Sequence, residues 1–208
     1  MWEFIIKGGP IMGLIILCSI TAFAVFIERM WCLRSAKIDT RKFMQEISAK
    51  VKNNKVMEAL DMCNVTRGPI ARMLKAGIMK YDRPRQDIKE AIEDAGIHEV
   101  PLLEKNLGVL ATIAHITPLL GLLGTVVGML KAFQVIEEKA MSMVPVNPGD
   151  LAGGIWEALI TTVAGLSVAI PTYVVYNYLV SRTDNFVLDM EKSATELVNV
   201  LSDQREVV

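Results

Sequence analysis

Glu157 is an ionisable residue in an otherwise uncharged stretch from Leu151 to Val180, and the hydroxyls of Thr161 and Thr162 follow it about one helical turn on. A charge at the centre of a membrane helix costs about 2.5–3.5 kcal/mol on insertion scales, so such a carboxylate asks for a partner or a wet cavity. A third hydroxyl, Thr125, stands in a second apolar stretch. One carboxylate and a few hydroxyls on apolar helices make a lining for an ion or for another polar helix. They do not make a nucleophile with its base, and no nucleotide-binding loop accompanies them, so the chain is not expected to be an enzyme.

The elements that must position these groups are set by charge segregation. The chain has 208 residues, 52% of them apolar, and its 22 Lys plus Arg nearly balance 23 Asp plus Glu, yet charge is almost absent from three runs. These are Gly8 to Ile27, Leu107 to Leu130 and Leu151 to Val180. Each meets the roughly 20 residues needed to cross a hydrocarbon core about 30 Å thick. The expected fold is therefore all-α, a polytopic membrane protein with three transmembrane helices. Ala22-Phe23-Ala24 mimics a signal-peptidase site, but Glu3 stands beside Lys7 and the apolar run continues through Ile27, which fits a retained span.

Basic residues mark the inner side. Arg29, Arg34, Lys37, Arg41 and Lys42 follow the first run, only Lys7 precedes it, and only Lys139 lies in the second connection. Arg182, Lys192 and Arg205 follow the third run. The N-terminus is thus placed outside and the C-terminus inside. The resulting division is 1–30 for the outer N-terminus and first span, 31–106 for an inner helical region, 107–136 for the second span, 137–150 for an outer loop, 151–180 for the third span and 181–208 for an inner C-terminal helix.

The inner region carries helical stripes: Phe43, Ile47 and Val51; Ile70, Met73, Leu74, Gly77 and Ile78; and Ile88, Ile92, Ala95 and Glu99, the last leading toward span two. Arg67-Gly68-Pro69 and Asp82-Arg83-Pro84 punctuate them, and Pro101 is a candidate kink. Phe186, Met190, Leu197 and Leu201 continue the period, so helices two and three are expected to extend into the inner helical region. Charges of both signs alternate there, as on a solvated bundle rather than a nucleic-acid surface. Cys18, Cys32 and Cys63 have no metal-ligand spacing with His98 or His115, so no metal and no disulfide are expected.

At about 100° per residue, Gly154, Glu157, Ala158, Thr161, Thr162, Gly165, Ala169 and Thr172 share an arc of roughly 140° on span three. Ala114, Thr117, Gly121, Gly124, Thr125, Gly128 and Ala132 share about 100° on span two. Small stripes let membrane helices approach closely, so Gly121, Gly124, Gly128 and Gly165 are expected in helix packing. Pro118 and Pro171 are expected as kinks whose freed carbonyls neighbours must satisfy. At about 1.5 Å per residue, Thr125 and Glu157 each lie roughly 8–10 Å below the outer end of their helix, with Thr162 nearer the middle. Blander readings stay open. The hydroxyls of Thr125, Thr161 and Thr162 can bond their own i−4 carbonyls; Glu157 can pair with Lys131 or reach outward; His115, on the bulky side, is expected in packing rather than proton relay.

The segments P-L-L-G-L-L-G-T-V-V-G-M-L-K-A-F, Pro118 to Phe133, and W-E-A-L-I-T-T-V-A-G-L-S-V-A-I-P, Trp156 to Pro171, resemble the two signature segments of the MotA/TolQ/ExbB proton-channel family. The three-span plan and Glu157 are similar to the ExbB and TolQ branch rather than to MotA. The resemblance implies a pentameric ring in the bacterial inner membrane, with a periplasmic N-terminus and a cytoplasmic C-terminus. Spans two and three would line a pore holding a dimer of single-span ExbD- or TolR-like partners, whose aspartate carries the proton. By motif position Glu157 is then the pore glutamate and Thr125 and Thr162 the pore threonines, with Thr161 beside them on the same arc. The implied cargo is a proton, the implied cofactor none, and a TonB-like or TolA-like protein would receive the work.

A passive membrane scaffold, in which Glu157 fixes assembly with a partner helix, is the rival from another class. A transporter subunit for a cationic solute is a third, which the lack of inverted repeats disfavours. The sequence leaves open outer-membrane nutrient uptake, envelope maintenance or surface motility, and proton against sodium.

Overall fold

The computed structural model describes residues 8–206 and is helical throughout them, with no strand among the described residues. The segment holding Glu3 and Lys7, and so the N-terminal part of the first division, lies outside them. Among the described residues seven helices follow one another: α1 (Gly9–Ala36), α2 (Thr40–Lys52), α3 (Val56–Val65), α4 (Pro69–Ile78), α5 (Arg85–Glu104), α6 (Leu107–Met141) and α7 (Pro148–Glu206). Three stretches of helix are long and apolar enough to cross a membrane, within α1, α6 and α7. Only 17%, 22% and 28% of their most apolar 18-residue windows are buried within the chain. Apolar walls left so open need another cover, and this is a membrane protein.

The chain divides into two compact units, residues 1–27 with 106–178 and residues 28–105 with 179–208. In the first, Ile15 of α1, Leu110 and Thr117 of α6 and Thr161 of α7 are fully buried. Leu119, Val126 and Phe133 of α6 and Leu159, Val163 and Ile170 of α7 are exposed. Trp156 and Tyr178 are half-exposed near the two ends of this part of α7, and at 1.5 Å per residue they stand about 33 Å apart, close to a bilayer's core thickness. Aromatic rings favour the two membrane–water boundaries, and this spacing suits such a pair of anchors.

The second unit is built on the stripes. Phe43, Ile47, Val51, Ile70, Met73, Leu74, Ile78, Ile88, Ile92, Met190, Leu197 and Leu201 are all buried, each contributing about 1.5–3 kcal/mol if taken fully from water. Asp39 caps α2 by accepting from the Lys42 N–H at 3.2 Å. Gly68 has φ 145°, a conformation open to glycine, and sets Pro69 at the start of α4. Gly77 leaves room for Ile92 and for Leu197, whose Cδ2 would lie 3.3 Å from a Cβ there. Glu99, buried, is held by Arg72 through two bonds of 2.5 Å.

Helix three runs on without interruption through α7, but helix two does not. Pro101 is accommodated inside α5, and the chain breaks instead at Lys105 (ψ 137°) and Asn106, which is left-handed at φ 63°. Asparagine tolerates that conformation better than most residues, and the break corrects the expected continuous extension of span two. Arg29, expected only as a mark of the inner side, is 3% exposed. Its Nη1 donates to the Leu102 carbonyl at 3.1 Å, serving a carbonyl in the last turn of α5, while its other nitrogens bond Glu28.

Candidate functional site

The antiparallel pair of α6 and the first part of α7 meets along a seam of small residues. A Cβ added to Gly128 would come within 2.5 Å of the Gly154 carbonyl oxygen and 2.9 Å of Ala158 Cβ. One added to Gly121 would lie 3.0 Å from Thr162 Cα, and one on Gly165 would lie 2.7 Å from the Thr117 carbonyl oxygen. At Gly128 and Gly165 a Cβ would meet facing backbone closer than side chains come, and at Gly121 it would be tight, so the small residues are what let the two helices approach. Gly121, Gly124, Gly128 and Gly165 all sit in this seam, with Gly154 and Ala158 opposite Gly128. Pro118 and Pro171 are inside α6 and α7, each removing one backbone donor from its helix.

The hydroxyls divide around the seam. Thr161 is wholly enclosed, its side chain filling the space left by Gly124, and Oγ1 donates within its own helix toward the Glu157 and Ala158 carbonyls at 3.0 and 2.9 Å. In this chain Thr161 is thus a packing residue of the seam. Thr162 is at the edge: its Oγ1 reaches across to the Gly121 carbonyl at 3.1 Å, with Ala158 O at 3.4 Å. Thr125, half-buried, donates to the Leu122 carbonyl at 2.6 Å. A threonine whose proton is spent on a carbonyl keeps its oxygen lone pairs as acceptors, so Thr125 and Thr162 have acceptor capacity left for a cation or a donor.

Glu157 has a partner. Lys131 Nζ lies 2.6 Å from its Oε1 and 2.7 Å from its Oε2, and the carboxylate side chain is 14% exposed against 47% for the lysine. The first turn of α1 is at the same place, because a Cβ on Gly9 would collide with Glu157 Oε1 and lie 3.8 Å from Lys131 Nζ. Gly9 has φ 63°. The structure thus brings Glu157 together with Lys131 and Gly9, and Thr161 with Thr162 and Gly121. Toward the helix ends a second pair, Lys139 with Asp150 at 2.5 Å, joins α6 to α7, and Asp150 also accepts from the Asn147 N–H at 2.8 Å.

His115 Nδ1 lies 2.6 Å from the Ala111 carbonyl oxygen; since a carbonyl only accepts, Nδ1 donates and carries the proton. Its ring meets Tyr173 edge to face with centroids 6.2 Å apart. Among the described residues no three His, Cys, Asp or Glu side chains gather where they could hold a metal ion. Sequence reasoning missed Gly9 and the buried Arg29. Gly9 had a signal in the string Gly8-Gly9-Pro10, which marks a backbone turn at the head of a helix. Nothing distinguished Arg29 from the other basic residues that follow the first span.

A protein of this build is a polytopic helical membrane protein whose packed spans carry one acidic group flanked by hydroxyls. The chain belongs to the MotA/TolQ/ExbB proton channel family, which it matches over residues 65–192, and within it to the ExbB/TolQ branch. It is 30% identical over 190 residues to an ExbB homolog of Methanothermobacter thermautotrophicus, covering 91% of this chain and 66% of that protein, just short of two thirds of its length. With the Tol-Pal system protein TolQ of Haemophilus influenzae it shares 28% identity over 217 residues, 97% of this chain and 93% of TolQ. A shorter match, 43% identical over 89 residues, joins it to the biopolymer transport protein ExbB of Aquifex aeolicus, over 43% of this chain and 57% of that one. The family is one of channel and transport proteins and not of enzymes.

Proposed function

We propose that this chain is the channel subunit of an inner-membrane motor of the ExbB–ExbD and TolQ–TolR kind, converting proton motive force into work at the cell envelope. In this reading five copies form a ring with periplasmic N-termini, residues 31–106 and 181–208 form its cytoplasmic part, and a dimer of single-span ExbD- or TolR-like partners fills the lumen. Protons pass Glu157, Thr125 and Thr162 on their way inward. A TonB-like or TolA-like protein takes up the motion.

The observation that carries the reading is the site itself: a carboxylate paired with Lys131, then hydroxyl oxygens with acceptor capacity left at Thr125 and Thr162, on helices that leave most of their apolar walls uncovered. One charge moved through 100 mV supplies about 2.3 kcal/mol. A few such transfers are enough to shift a helix packing between two states. The cofactor is none and the cargo is the proton.

The test is Glu157→Gln and Thr162→Val, made separately in the full complex in its membrane. The complex should form and proton-dependent work should fall to background. A passive scaffold, in which Glu157 fixes assembly with a partner helix, is the rival reading, and the Lys131 pair weighs against it, since the carboxylate is already satisfied within one chain. Loss of assembly with either variant, with work per assembled complex unchanged, would establish that reading instead.

A further inference from the structure

The family's signature places a glutamate at 157, but it does not say what fixes the direction in which that carboxylate points. In this chain three helices decide it. Lys131 of α6 binds both carboxylate oxygens, at 2.6 and 2.7 Å. The head of α1 closes on one of them, Oε1, through Gly9, where any side chain would displace it. Gly9 is doubly committed to being glycine, because its φ of 63° is strained for a larger residue even without that collision. The amino end of a helix carries about half a positive charge, so the α1 head adds attraction to the lysine's.

We propose that Lys131 and Gly9 form a three-helix joint that positions Glu157, with Lys131 as the positioning residue and the bare backbone at position 9 as its seat. The joint does more than neutralise a charge. It ties the first span, which has no acidic residue and none of the signature motifs, to the carboxylate at the end of the α6–α7 seam. A carboxylate anchored on two sides has one orientation, whereas a glutamate with free torsions would sample several. The lysine stays half-exposed while the glutamate is mostly enclosed, so the lysine comes to the carboxylate's position rather than drawing it outward. Lys139, eight residues along the same helix, is engaged separately with Asp150 and supplies a built-in comparison.

The functional arm of this inference rests on the channel reading, and its geometric arm does not. For geometry, the intact membrane complex is treated with a water-soluble carbodiimide and digested, and the Lys131–Glu157 amide is sought by mass spectrometry. The cross-link should form in the wild type and drop about tenfold or more in Gly9→Val, whose side chain takes the carboxylate's place. Absence of the wild-type cross-link, or its full survival in Gly9→Val, would overturn the joint. For function, Lys131→Met should lower proton-driven work per assembled complex about tenfold, the loss expected when one charged hydrogen-bonded partner is removed. Lys131→Arg should recover it to within about twofold, and Lys139→Met should leave it unchanged. Normal work in Lys131→Met, or equal failure of the arginine and methionine variants, would refute the positioning role. If Lys131→Met does not assemble, the cross-link and the arginine variant still decide. Should Glu157→Gln itself keep full proton-driven work, the channel reading fails while the cross-link still tests the joint.

Discussion

Gly124→Ala puts a methyl carbon 2.5 Å from Thr161 Cβ and 3.0 Å from its Cγ2, with Oγ1 nearer still. Ordinary contact begins near 3.4 Å, so α6 and α7 must part by roughly 1 Å or Thr161 must leave its rotamer. Thr161 has nowhere to go, being wholly enclosed with its hydroxyl spent on carbonyls of its own helix. Overpacking of this kind costs about 1–3 kcal/mol. A 1 Å gap along the rest of the seam forfeits about a quarter to a half of each dispersion contact. Alanine's helix propensity returns up to about 1 kcal/mol, leaving a net loss of about 1–2 kcal/mol.

The partner change sharpens the test. Thr161→Gly removes all three clashing atoms and strands no acceptor on α6, since the threonine's bonds are within α7. Alone it costs about 1–2 kcal/mol through lost contact and glycine's entropy. The double variant moves one small side chain from α7 to α6 and should recover most of the first loss, a coupling of about 1–3 kcal/mol. Thermal unfolding of the detergent-solubilised protein, followed by tryptophan fluorescence at one scan rate, reads this as a shift of about 2–8 °C for Gly124→Ala. Gly153→Ala, with open space around its Cβ, should not lower the midpoint. The reasoning fails if Gly124→Ala is neutral, or if the two changes simply add.

Cys63 is buried, and burial pushes its thiol up to about 11, so maleimide at neutral pH should label Cys32 while leaving Cys63 unmodified until the protein unfolds; equal rates, read by mass spectrometry, would contradict this. Glu58 accepts from Lys50 at 2.7 Å and Lys55 at 2.9 Å, which hold its carboxyl down at about 2 against 4.5 unperturbed. Because the folded value is the lower one, the stabilisation is complete above about pH 4.5 and is lost as pH falls toward 2. Carboxyl NMR should place the Glu58 midpoint far below that of other exposed glutamates, and a midpoint near 4.5 would refute the pairing. Arg72→Ala strands the buried Glu99 carboxylate and should cost about 1–3 kcal/mol in urea unfolding, discounted because the arginine itself is half-exposed; Glu99→Gln should cost less, and the reverse order would overturn the account.

The helical stripes of the inner segment were legible because a 3.6-residue period writes itself into sequence: Ile47, Val51, Leu74, Ile88 and Leu197 are buried where the period puts them. The small faces of α6 and α7 were legible for the same reason. What those faces meet was not, since glycine spacing reads the same for a contact inside one chain and for a contact between chains. The arc drawn around Glu157 was also too coarse. Thr161 and Thr162 differ by about 100°, enough to set one in the seam and the other at its edge bonding Gly121. The break after α5 was hidden by Pro101, which looked like the stronger interruption, whereas a helix end at Asn106 depends on one left-handed residue. Arg29's burial depends on the far-away Leu102 carbonyl, and no local pattern carries such information.

The seam restricts where motion can occur. Two helices with no room for a Cβ at Gly128, Gly154 or Gly165, and only a tight 3.0 Å at Gly121, have little side-chain layer to shear across, and the Lys131–Glu157 and Lys139–Asp150 pairs tie the C-terminal part of α6 to the start of α7 as well. Sliding α6 past α7 would drive Ala158 and Thr161 into the glycines they now face, at overpacking costs comparable to or above the roughly 2.3 kcal/mol that one charge gains from 100 mV. The pair therefore moves as one body. Under the proposed function, any displacement driven by a proton would be taken up on the other faces, where Leu119, Val126 and Phe133 of α6 and Leu159, Val163 and Ile170 of α7 are exposed. Those branched and aromatic side chains can repack against a neighbour or slide along lipid with little loss, because any apolar partner replaces the last.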